Sequence, residues 1–321
     1  MKKVLYLGPA FYNYELMIKN LIEKYLEYEV IFIDISNFKY EYKNIVERLY
    51  NNIFYKKYYK NNLKNDKISD LIIEEVKKLD LNKVDIILFI RLMGLHKKLL
   101  KFLYSLNKKM ICHQWDSINS LEGIENYFYY FNKVSSFDPE DAKKYNIKFI
   151  PNFYIEEKNI KNQNCEYDAY TVMTYDNRIF LIEKLAKELK KLNKKYLFLV
   201  YSKDKSIRSD FVTIINKPIS LEKNNENIEK SKTIIEIGHQ GRQGGLTFRA
   251  IESIGKEKKL ITNYDFIKNY DFYNSNNICV IKNENIKISN EFFNKEYEKL
   301  PVEIYAKYSG ENWIKEVFRD E

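Results

Sequence analysis

The chain has 321 residues and a formal net charge of +9 at pH 7, with 54 Lys and Arg against 45 Asp and Glu. Hydrophobic residues make up 45% and aromatic residues 16% of the chain, which excludes a disordered protein and allows one large or two medium domains. No apolar run approaches the roughly 20 residues of a membrane-spanning helix, so we expect no transmembrane segment.

The positive charge has two interpretations. It favours an anionic partner such as nucleic acid, anionic lipid or a nucleoside diphosphate. The abundance of Lys, Asn, Ile, Tyr and Phe is also typical of AT-rich coding, which raises basicity without a functional cause. Cys112, Cys165 and Cys279 lie far apart and lack metal-ligand spacing, so we expect a cytoplasmic protein without disulfides or a zinc site.

Strand and helix patterns alternate through residues 1–150, which predicts βαβ units with a parallel sheet. The first apolar run ends at Gly8 and Pro9 with no cleavage site after it, so we interpret it as a strand and not as a signal peptide. The predicted strands are Lys3–Leu7, Glu29–Ile35, Val84–Ile90, Lys109–His113, Lys133–Phe137 and Ile147–Ile150. The predicted helices are Asn13–Tyr25, Ser69–Leu79, His96–Leu106 and Pro139–Lys144.

The segment Lys39–Lys64 departs from this alternation because Tyr and Lys dominate it. Such a segment suits contact with an anionic membrane or a lipid-linked acceptor. The alternative is a solvated helix whose tyrosines pack inward. The expected location is therefore the cytoplasm, either in solution or at the inner face of the cytoplasmic membrane.

Residues 151–168 are polar and without periodicity, which is typical of an interdomain linker. The alternation then restarts with strands at Ala169–Met173, Tyr196–Tyr201, Phe211–Ile215, Thr233–Ile237, Lys259–Thr262 and Ile278–Ile281. Helices are predicted at Arg178–Leu192, Leu221–Lys230, Thr247–Ile254 and Glu303–Phe318. The predicted fold class is α/β, with two Rossmann-like βαβ domains (residues 1–150 and 169–300) facing a central cleft and a C-terminal helix within residues 301–321 that packs back on the first domain.

The most informative segment runs from Ile234 to Glu252. Five of the nine glycines lie in it or just after it, namely Gly238, Gly241, Gly244, Gly245 and Gly255. Glycines between a strand and a helix let the backbone approach a ligand, and the N–H groups that begin the helix favour a phosphate. Arg249 and Glu252 share a helix face, where a Glu can accept ribose hydroxyls and an Arg can bind a diphosphate. The alternative is a surface loop followed by an ordinary Arg–Glu pair.

This segment resembles the donor-binding region of GT-B glycosyltransferases. Glu252–Gly255 with Lys259–Thr262 is similar to the Glu-Ala-Leu-Ala…Pro-Val-Ile-Thr element of that superfamily, whose Glu binds the ribose. Gln243–Glu252 resembles the Gln-x-Gly-Leu-Thr-x-Arg-x-x-Glu stretch of a group of lipopolysaccharide core and capsular polysaccharide glycosyltransferases. The other segments similar to this group are Gln114–Ser117, Ser136–Ala142, Tyr270–Asn274 and Asn277–Ile278.

The resemblance implies a glycosyltransferase that moves a sugar from a nucleotide-diphosphate donor to a growing bacterial surface glycan. The first domain would then bind the glycan or lipid-linked glycan acceptor, and the second would bind the nucleotide sugar. The expected donor-binding residues are Thr174, Tyr175, Arg178, Lys203, His239, Gln243, Gly245, Leu246, Thr247, Arg249 and Glu252. Gly244 stands where retaining enzymes often carry a second Glu, and Met173 stands where the family usually has Gly, so inversion and retention both stay open.

The candidate catalytic residues of the first domain follow predicted strands. Asp116 is the first candidate for the base that removes the acceptor proton, Asp138 is the second, and Arg91 follows another strand. An Asp at such a place is also a common helix N-cap, which is the alternative for Asp138. In GT-B proteins the first strand-to-helix loop faces the acceptor, so Gly8, Asn13 and Tyr14 are expected on that side.

No Asp-x-Asp element occurs at a strand end, so we expect no metal and no cofactor apart from the nucleotide-sugar substrate. Arg, Lys and helix N–H groups would stabilise the departing diphosphate. His239 follows a strand and is a candidate donor to a phosphate or a sugar hydroxyl. The sequence gives no reason to assign a functional role to His96 or His113. A structural turn is the alternative for His239, and a helix-surface position is the alternative for Arg178.

Three other functions stay open. A GT-B partner without turnover is one, because Gly244 departs from the pattern, and a sugar-nucleotide epimerase is another. A nucleic-acid-binding protein is the third, but no known nucleic-acid module occurs, and no nucleic-acid partner is expected.

Overall fold

A computed structural model describes residues 1–55, 62–92, 97–121, 123–155, 165–239, 244–282 and 286–319. The chain forms two compact units, Met1–Pro151 with Trp313–Glu321, and Asn152–Asn312. Each unit contains a six-stranded sheet in which all paired strands run parallel. The predicted α/β class with two Rossmann-like domains is confirmed.

The first unit has the strand order β2-β1-β3-β4-β5-β6. Its strands are β1 Lys3–Gly8, β2 Glu29–Asp34, β3 Ile86–Ile90, β4 Lys109–Gln114, β5 Lys133–Ser136 and β6 Lys148–Phe149. Its helices before the linker are α1 Tyr14–Leu26, α2 Ile45–Tyr50, α3 Leu63–Lys77, α4 Lys97–Ser105 and α5 Pro139–Tyr145, with a π-helical turn Asn51–Tyr55 after α2. All residues of β3 are buried, as expected for a central strand of a parallel sheet covered on both faces.

Helix α3 begins earlier than the predicted start at Ser69. The side chain of Asn62 accepts a hydrogen bond from the Lys64 amide and caps the helix. The polar turns between the cap and Ser69 are therefore helical, although only the later residues Ile72, Ile73 and Val76 supply the buried apolar face. The apolar periodicity alone could not predict this start.

The second unit has the strand order β12-β11-β10-β7-β8-β9. Its strands are β7 Tyr167–Thr174, β8 Tyr196–Tyr201, β9 Thr213–Ile215, β10 Ser231–Glu236, β11 Lys259–Thr262 and β12 Ile278–Val280. Its helices are α6 Ile179–Lys191, α7 Leu221–Glu229, α8 Phe248–Gly255, α9 Asn290–Asn294 and α10 Val302–Lys307. Successive residues of β10 enter different cores, since Ile234 packs with α8 and Ile235 packs with α6.

The predicted single helix Glu303–Phe318 is wrong, because the chain forms two helices there, α10 and α11 Gly310–Phe318. Between them, the carbonyl of Tyr308 accepts from the Tyr154 amide at 3.0 Å, and the Gly310 amide donates to the Tyr154 carbonyl at 2.8 Å. This backbone pairing with a distant segment uses groups that a continuous helix would need.

The end of α11 belongs to the first unit. Lys133 Nζ donates to the carbonyl oxygens of Glu316 and Arg319 at 2.6 and 2.7 Å, and Lys148 pairs with the Glu316 carboxylate at 2.9 Å. These contacts satisfy the free carbonyl groups at the helix C-terminus. The last residues thus pack on the unit in which the chain begins.

The predicted linker begins inside the second unit, where Phe153 and Tyr154 are buried. Residues 156–164 lie outside the described residues. No helix in the described part of the chain has both the length and the apolar character that a bilayer span requires.

In each sheet, the direction in which successive strands are added reverses once. In the first unit this switch point lies between β1 and β3, and in the second it lies between β7 and β10. Ligands of open α/β sheets bind outside the carboxyl ends of the strands at such points. The loops after these four strands are therefore the expected positions of a ligand site.

Candidate functional site

Arg178 lies at the switch point of the second unit, after β7. Its Nε and Nη2 donate to the carboxylate of Asp176 at 3.0 and 2.7 Å, and its Nη1 donates to the Ile237 carbonyl, after β10, at 2.7 Å. The guanidinium has five N–H donors, and these contacts use three of them. The side chain keeps some solvent exposure. The protein thus fixes a cation at this point while two N–H groups stay available to a ligand.

His239 lies beside the same carboxylate, with Nε2 3.6 Å from Asp176 Oδ2. Burial raises the pKa of Asp176, but the hydrogen bonds and charge of Arg178 and the nearby His239 outweigh burial, so the net shift of this pKa is downward. Asp176 is therefore ionised at neutral pH and orients the Arg178 guanidinium.

A second ion pair joins the end of β10 to helix α8. Arg249 Nη1 donates to Glu236 Oε2 at 2.7 Å, and the Thr247 hydroxyl donates to Glu236 Oε1 at 3.1 Å. Thr247 also caps α8 by accepting from the Ala250 amide. Burial lowers the pKa of Arg249, but the charges of Glu236 and Glu252 outweigh it and the net shift is upward.

This geometry changes the expected role of Arg249. The sequence predicts that an Arg of this segment binds a diphosphate. In the structure, Arg249 is paired with the buried carboxylate of Glu236. Glu252 lies one turn further along α8 and is partly exposed. Arg249 is also partly exposed, so the two residues predicted to share this helix face differ in that Arg249 is held by Glu236.

The turn after β10 is held by the loop after β11. The Gly238 amide donates to Asn263 Oδ1 at 2.8 Å, and Asn263 Nδ2 donates back to the Gly238 carbonyl at 3.2 Å. A Cβ added at Gly238 would lie 2.0 Å from the buried Tyr264 ring. This position needs glycine because the backbone packs directly against an aromatic side chain.

The other predicted donor-binding residues divide into open and buried positions. Thr174, Tyr175 and Lys203 are exposed at the carboxyl ends of β7 and β8, whereas Gly245 and Leu246 are buried. Leu246 packs in the core beside α8, and its carbonyl accepts from Asn152 Nδ2 at 2.9 Å. Gln243 lies outside the described residues. Beyond Lys203 an open cavity of about 420 Å³ is lined in part by Lys205, Arg208 and Asn216.

In the first unit, Arg91 and Asp116 form an ion pair between the loops after β3 and β4. Both side chains are partly exposed. The two residues were predicted separately, each from its place after a strand, and the structure brings them into contact. An adjacent Arg can orient an Asp carboxylate at a fixed position.

The backbone of this edge is strained. Tyr12, Asn13 and Arg91 have φ values of 49°, 65° and 60°. The other described non-glycine residues with positive φ follow helix C-termini, where this conformation is usual, and are Glu27, Asn107, Asn146, Asn193 and Glu257. Strain outside helix ends is concentrated at functional sites, and here it occurs after β1 and β3, on both sides of the switch point.

The predicted acceptor-side residues lie in the same place. A Cβ added at Gly8 would be 3.0 Å from the Ile90 carbonyl, so β1 and β3 approach closely where they end. Asn13 is exposed at the start of α1, and the ring of Tyr14 packs edge-on against Trp115, with ring centroids 6.2 Å apart. The loop after β1 therefore contacts the residue that precedes Asp116.

Asp138 is buried as the N-cap of α5, as the alternative interpretation of the sequence had it. It accepts from the Glu140 and Asp141 amides at 2.9 and 3.5 Å. Asp141 accepts from the Ile118 amide at 2.6 Å, and burial raises its pKa. Both carboxylates hold backbone segments, and Asp141 braces the loop that carries Asp116.

Asp176 and Glu236 were not predicted as site residues from the sequence. Glu236 is an acidic residue at the end of an apolar strand, and a buried carboxylate requires a charged partner, which was a usable signal. Asp176 stands two residues before Arg178 and accepts from its amide at 2.9 Å. That turn has no distinctive sequence signature. Among the described residues, no group of three His, Cys, Asp or Glu side chains is arranged to hold a metal ion.

No protein-family model and no curated protein matches this chain. Solved structures do share its fold. A glycosyltransferase from Rickettsia africae is 13% identical with a TM-score of 0.57, and the match covers 100% of this chain and 99% of that chain. A UDP-GlcNAc 2-epimerase from Neisseria meningitidis bound to UDP-GlcNAc is 11% identical with a TM-score of 0.51, and the match covers 99% and 98%.

A third similar structure, the S. aureus MnaA-UDP co-structure, is 9% identical with a TM-score of 0.53 and covers 99% of this chain and 95% of that chain. The chain therefore has the fold of GT-B glycosyltransferases and related enzymes. At these identities the likeness concerns the fold.

Proposed function

We propose that this chain is a glycosyltransferase that uses a nucleotide-diphosphate sugar. The observation that carries the proposal is Arg178, which is fixed across the switch point of the second sheet by Asp176 and the Ile237 carbonyl. A cation held in place before the reaction stabilises a departing diphosphate without reorganisation. The shared GT-B fold supports the same class of reaction.

The donor would lie along the carboxyl edge of the second sheet. Its diphosphate would accept from the two remaining N–H groups of Arg178, with His239 as a further donor. Glu252, which is partly exposed on α8, would accept from the ribose hydroxyls. Glu236 and Arg249 would position α8 and would not contact the nucleotide.

The first unit would supply the acceptor side. Asp116, oriented by Arg91, would remove the proton of the attacking hydroxyl. Gly8, Asn13 and Tyr14, which lie at and after the end of β1, would contact the acceptor. The proposed acceptor is a growing surface glycan of the lipopolysaccharide or capsule type, because Gln243–Glu252 resembles a motif of glycosyltransferases that build such glycans. Catalysis without a metal is part of the proposal.

A sugar-nucleotide epimerase is the second candidate, because two structures with this fold are a UDP-GlcNAc 2-epimerase and a UDP co-structure. A transferase and an epimerase would both bind a nucleotide sugar. They differ in the product: a transferase releases nucleoside diphosphate only with an acceptor, and an epimerase changes the donor sugar alone. A partner without turnover would bind the donor and do neither.

The test is a thermal-shift panel of nucleoside diphosphates and their sugars, with chelator present. At roughly 100 times its dissociation constant, a ligand should stabilise the protein by about 2.7 kcal/mol. One nucleotide should shift the wild type and the Glu222→Ala control but not Glu252→Ala, since Glu222 is an exposed Glu elsewhere in the unit. No shift with any nucleotide, alongside salt-sensitive binding to RNA or DNA, would overturn the proposal.

A further inference from the structure

Helix α2 and the π-helical turn after it expose a continuous apolar face. Ile45 and Val46 are 76% and 73% exposed, and Leu49 and Ile53 are 50% and 55% exposed. At about 100° per residue these four side chains share one side of the helix. No residue of α2 is buried. We call this set of four residues the α2 face.

The opposite side of α2 and of the turn after it is polar and hydrogen-bonded to neighbouring segments. Asn51 is 1% exposed, and its side chain accepts from the Leu63 amide at 2.9 Å. Glu47 accepts from the Tyr40 hydroxyl and from the Lys43 amide, both at 2.7 Å. The helix is inverted relative to an ordinary surface helix in that its apolar side is exposed.

Such an inversion has a thermodynamic meaning. Exposed apolar area is unfavourable in water, and contiguous apolar patches on soluble proteins mark interaction surfaces. The hydrogen bonds of Asn51 and Glu47 hold the polar side inward and so keep the α2 face outward. The face is presented by specific contacts and is not a failure of packing.

The sequence segment that contains this face is basic. Residues 39–67 contain eight Lys and Arg and three Asp and Glu, a net charge of +5 against +9 for the whole chain. The described basic residues of this segment are exposed and are Lys39, Lys43, Arg48, Lys64 and Lys67. The same segment contains six of the 28 tyrosines. Lys is depleted in protein–protein interfaces, whereas basic residues and Tyr beside an apolar helix face are typical of binding to anionic membranes.

We infer that the α2 face is a docking surface for an anionic lipid bilayer. The apolar side chains of α2 would enter the boundary between headgroups and acyl chains, and the basic residues around it would contact the phosphates. The inference goes beyond the proposed transfer reaction and does not depend on it, because α2 supplies none of the candidate donor or acceptor residues.

The first test is co-sedimentation of the full chain with vesicles of phosphatidylcholine alone or mixed with phosphatidylglycerol. The wild type should bind the mixed vesicles, and Val46→Ser with Leu49→Ser should weaken binding at least about tenfold. Phe180→Ser with Val302→Ser is the matched control, since these apolar residues are 70% and 78% exposed in the second unit. The control should bind like the wild type.

The second test removes charge at the same place. Lys43→Gln with Arg48→Gln should weaken binding to the mixed vesicles about tenfold or more at low salt. Lys78→Gln with Lys83→Gln removes the same charge from exposed lysines elsewhere in the unit and should leave binding unchanged. Binding that survives high salt in full would overturn the role of the basic residues.

Three results would overturn the inference: a wild type that stays in the supernatant with both kinds of vesicle, an α2-face variant that binds as well as the wild type, or a dimer in lipid-free solution that the same variant abolishes. The last would assign the α2 face to self-association. The nucleotide panel on Val46→Ser with Leu49→Ser keeps the two proposals apart. Donor binding should be unchanged in that variant whether or not the lipid inference holds.

Discussion

The carboxyl edges of the two sheets are built in opposite ways. At the edge of the second unit, Arg178 and Arg249 are each paired with a carboxylate, and the backbone of β10 contributes a further acceptor. At the edge of the first unit the ion pair formed by described residues is Arg91 with Asp116, and it lies beside strained backbone. Phe11 and Tyr12 are exposed in the loop after β1.

The difference fits two kinds of ligand. A diphosphate has fixed charge and geometry, and a network of paired charges holds one cation ready for it. A glycan acceptor presents sugar rings, and exposed aromatic rings beside one carboxylate suit such a ligand. The comparison predicts that substitutions at the first edge reduce turnover, whereas substitutions at the second edge also reduce donor binding.

The largest effect is expected from Asp116→Asn. Loss of a general base should lower kcat about 100- to 10,000-fold. Donor binding, measured by thermal shift with the nucleotide, should be unchanged, because Asp116 belongs to the edge proposed for the acceptor. Steady-state kinetics with donor and acceptor measure the first quantity.

Asp80→Asn is the control for this substitution. Asp80 is an exposed Asp of the same unit that pairs with Lys83, and its replacement should leave both readouts at the wild-type value. If Asp116→Asn retained full turnover, the assignment of the base to this edge would be wrong. If it abolished donor binding instead, the assignment of the acceptor to the first edge and of the donor to the second would be wrong.

Arg178→Ala is expected to have the next largest effect. Removal of one preorganised charge that stabilises the leaving group should lower kcat/KM about 100- to 1000-fold. It should also reduce the thermal shift with nucleoside diphosphate, which Asp116→Asn does not. The same kinetic assay and nucleotide panel measure both.

Two comparisons sharpen the assignment of Arg178. Lys232→Ala removes one exposed charge of the same unit and should be silent. Arg208 lines the open cavity beyond β8, and its Nη1 donates to the Lys205 and Ile207 carbonyls and not to a carboxylate. If Arg208→Ala had the larger effect, the diphosphate would belong at that cavity and not at the switch point.

Glu236→Gln tests whether the second edge is also a structural network. The change removes the charge of the ion-pair partner of Arg249. We expect a loss of unfolding free energy of about 2 kcal/mol. This loss is below the range for fully buried pairs because Arg249 is partly exposed. Urea denaturation followed by circular dichroism measures it. Glu188→Gln removes an exposed pair with Lys191 and should cost about 0.5 kcal/mol or less. Equal losses in the two variants would mean that the network adds no stability.

The sequence predicted the elements of this fold better than the contacts at their ends. Strands Tyr196–Tyr201 and Lys259–Thr262 were predicted to the residue, because short apolar runs between helices determine them locally. The break between α10 and α11 was not predicted, since it depends on pairing with Tyr154, more than 150 residues earlier.

The candidate site shows the same limit. That Arg178 follows a strand could be predicted from the apolar pattern, but its contact with the Ile237 carbonyl depends on which strands are neighbours in the sheet. For the same reason the sequence could not distinguish the two arginines of the second edge. Arg178 follows a turn without glycine after β7, and Arg249 follows a glycine-rich turn after β10. Only the fold shows that Arg249 reaches the buried Glu236.

The smallest expected effect concerns the interior of the first edge, where His113 lies at the end of β4. His113 is fully buried, and its Nδ1 is 2.9 Å from the Ser135 hydroxyl. Burial, with a smaller contribution from Lys133, lowers its pKa to about 3. The unfolded chain binds a proton near pH 6.5, so the stability contributed by neutral His113 is fully present above that pH and is lost progressively as the pH falls towards 3.

Between about pH 7.5 and 5.5 this one group should therefore reduce the unfolding free energy by about 1.4 kcal/mol. Urea denaturation of wild type and His113→Gln at both pH values isolates the contribution, because all other titrating groups are common to the two proteins. The difference between the two proteins should shrink at the lower pH. An unchanged difference would mean that the fold does not shift the pKa of His113. A difference that grew at the lower pH would mean that His113 is protonated in the fold, and the first edge would then have a charged interior like the second.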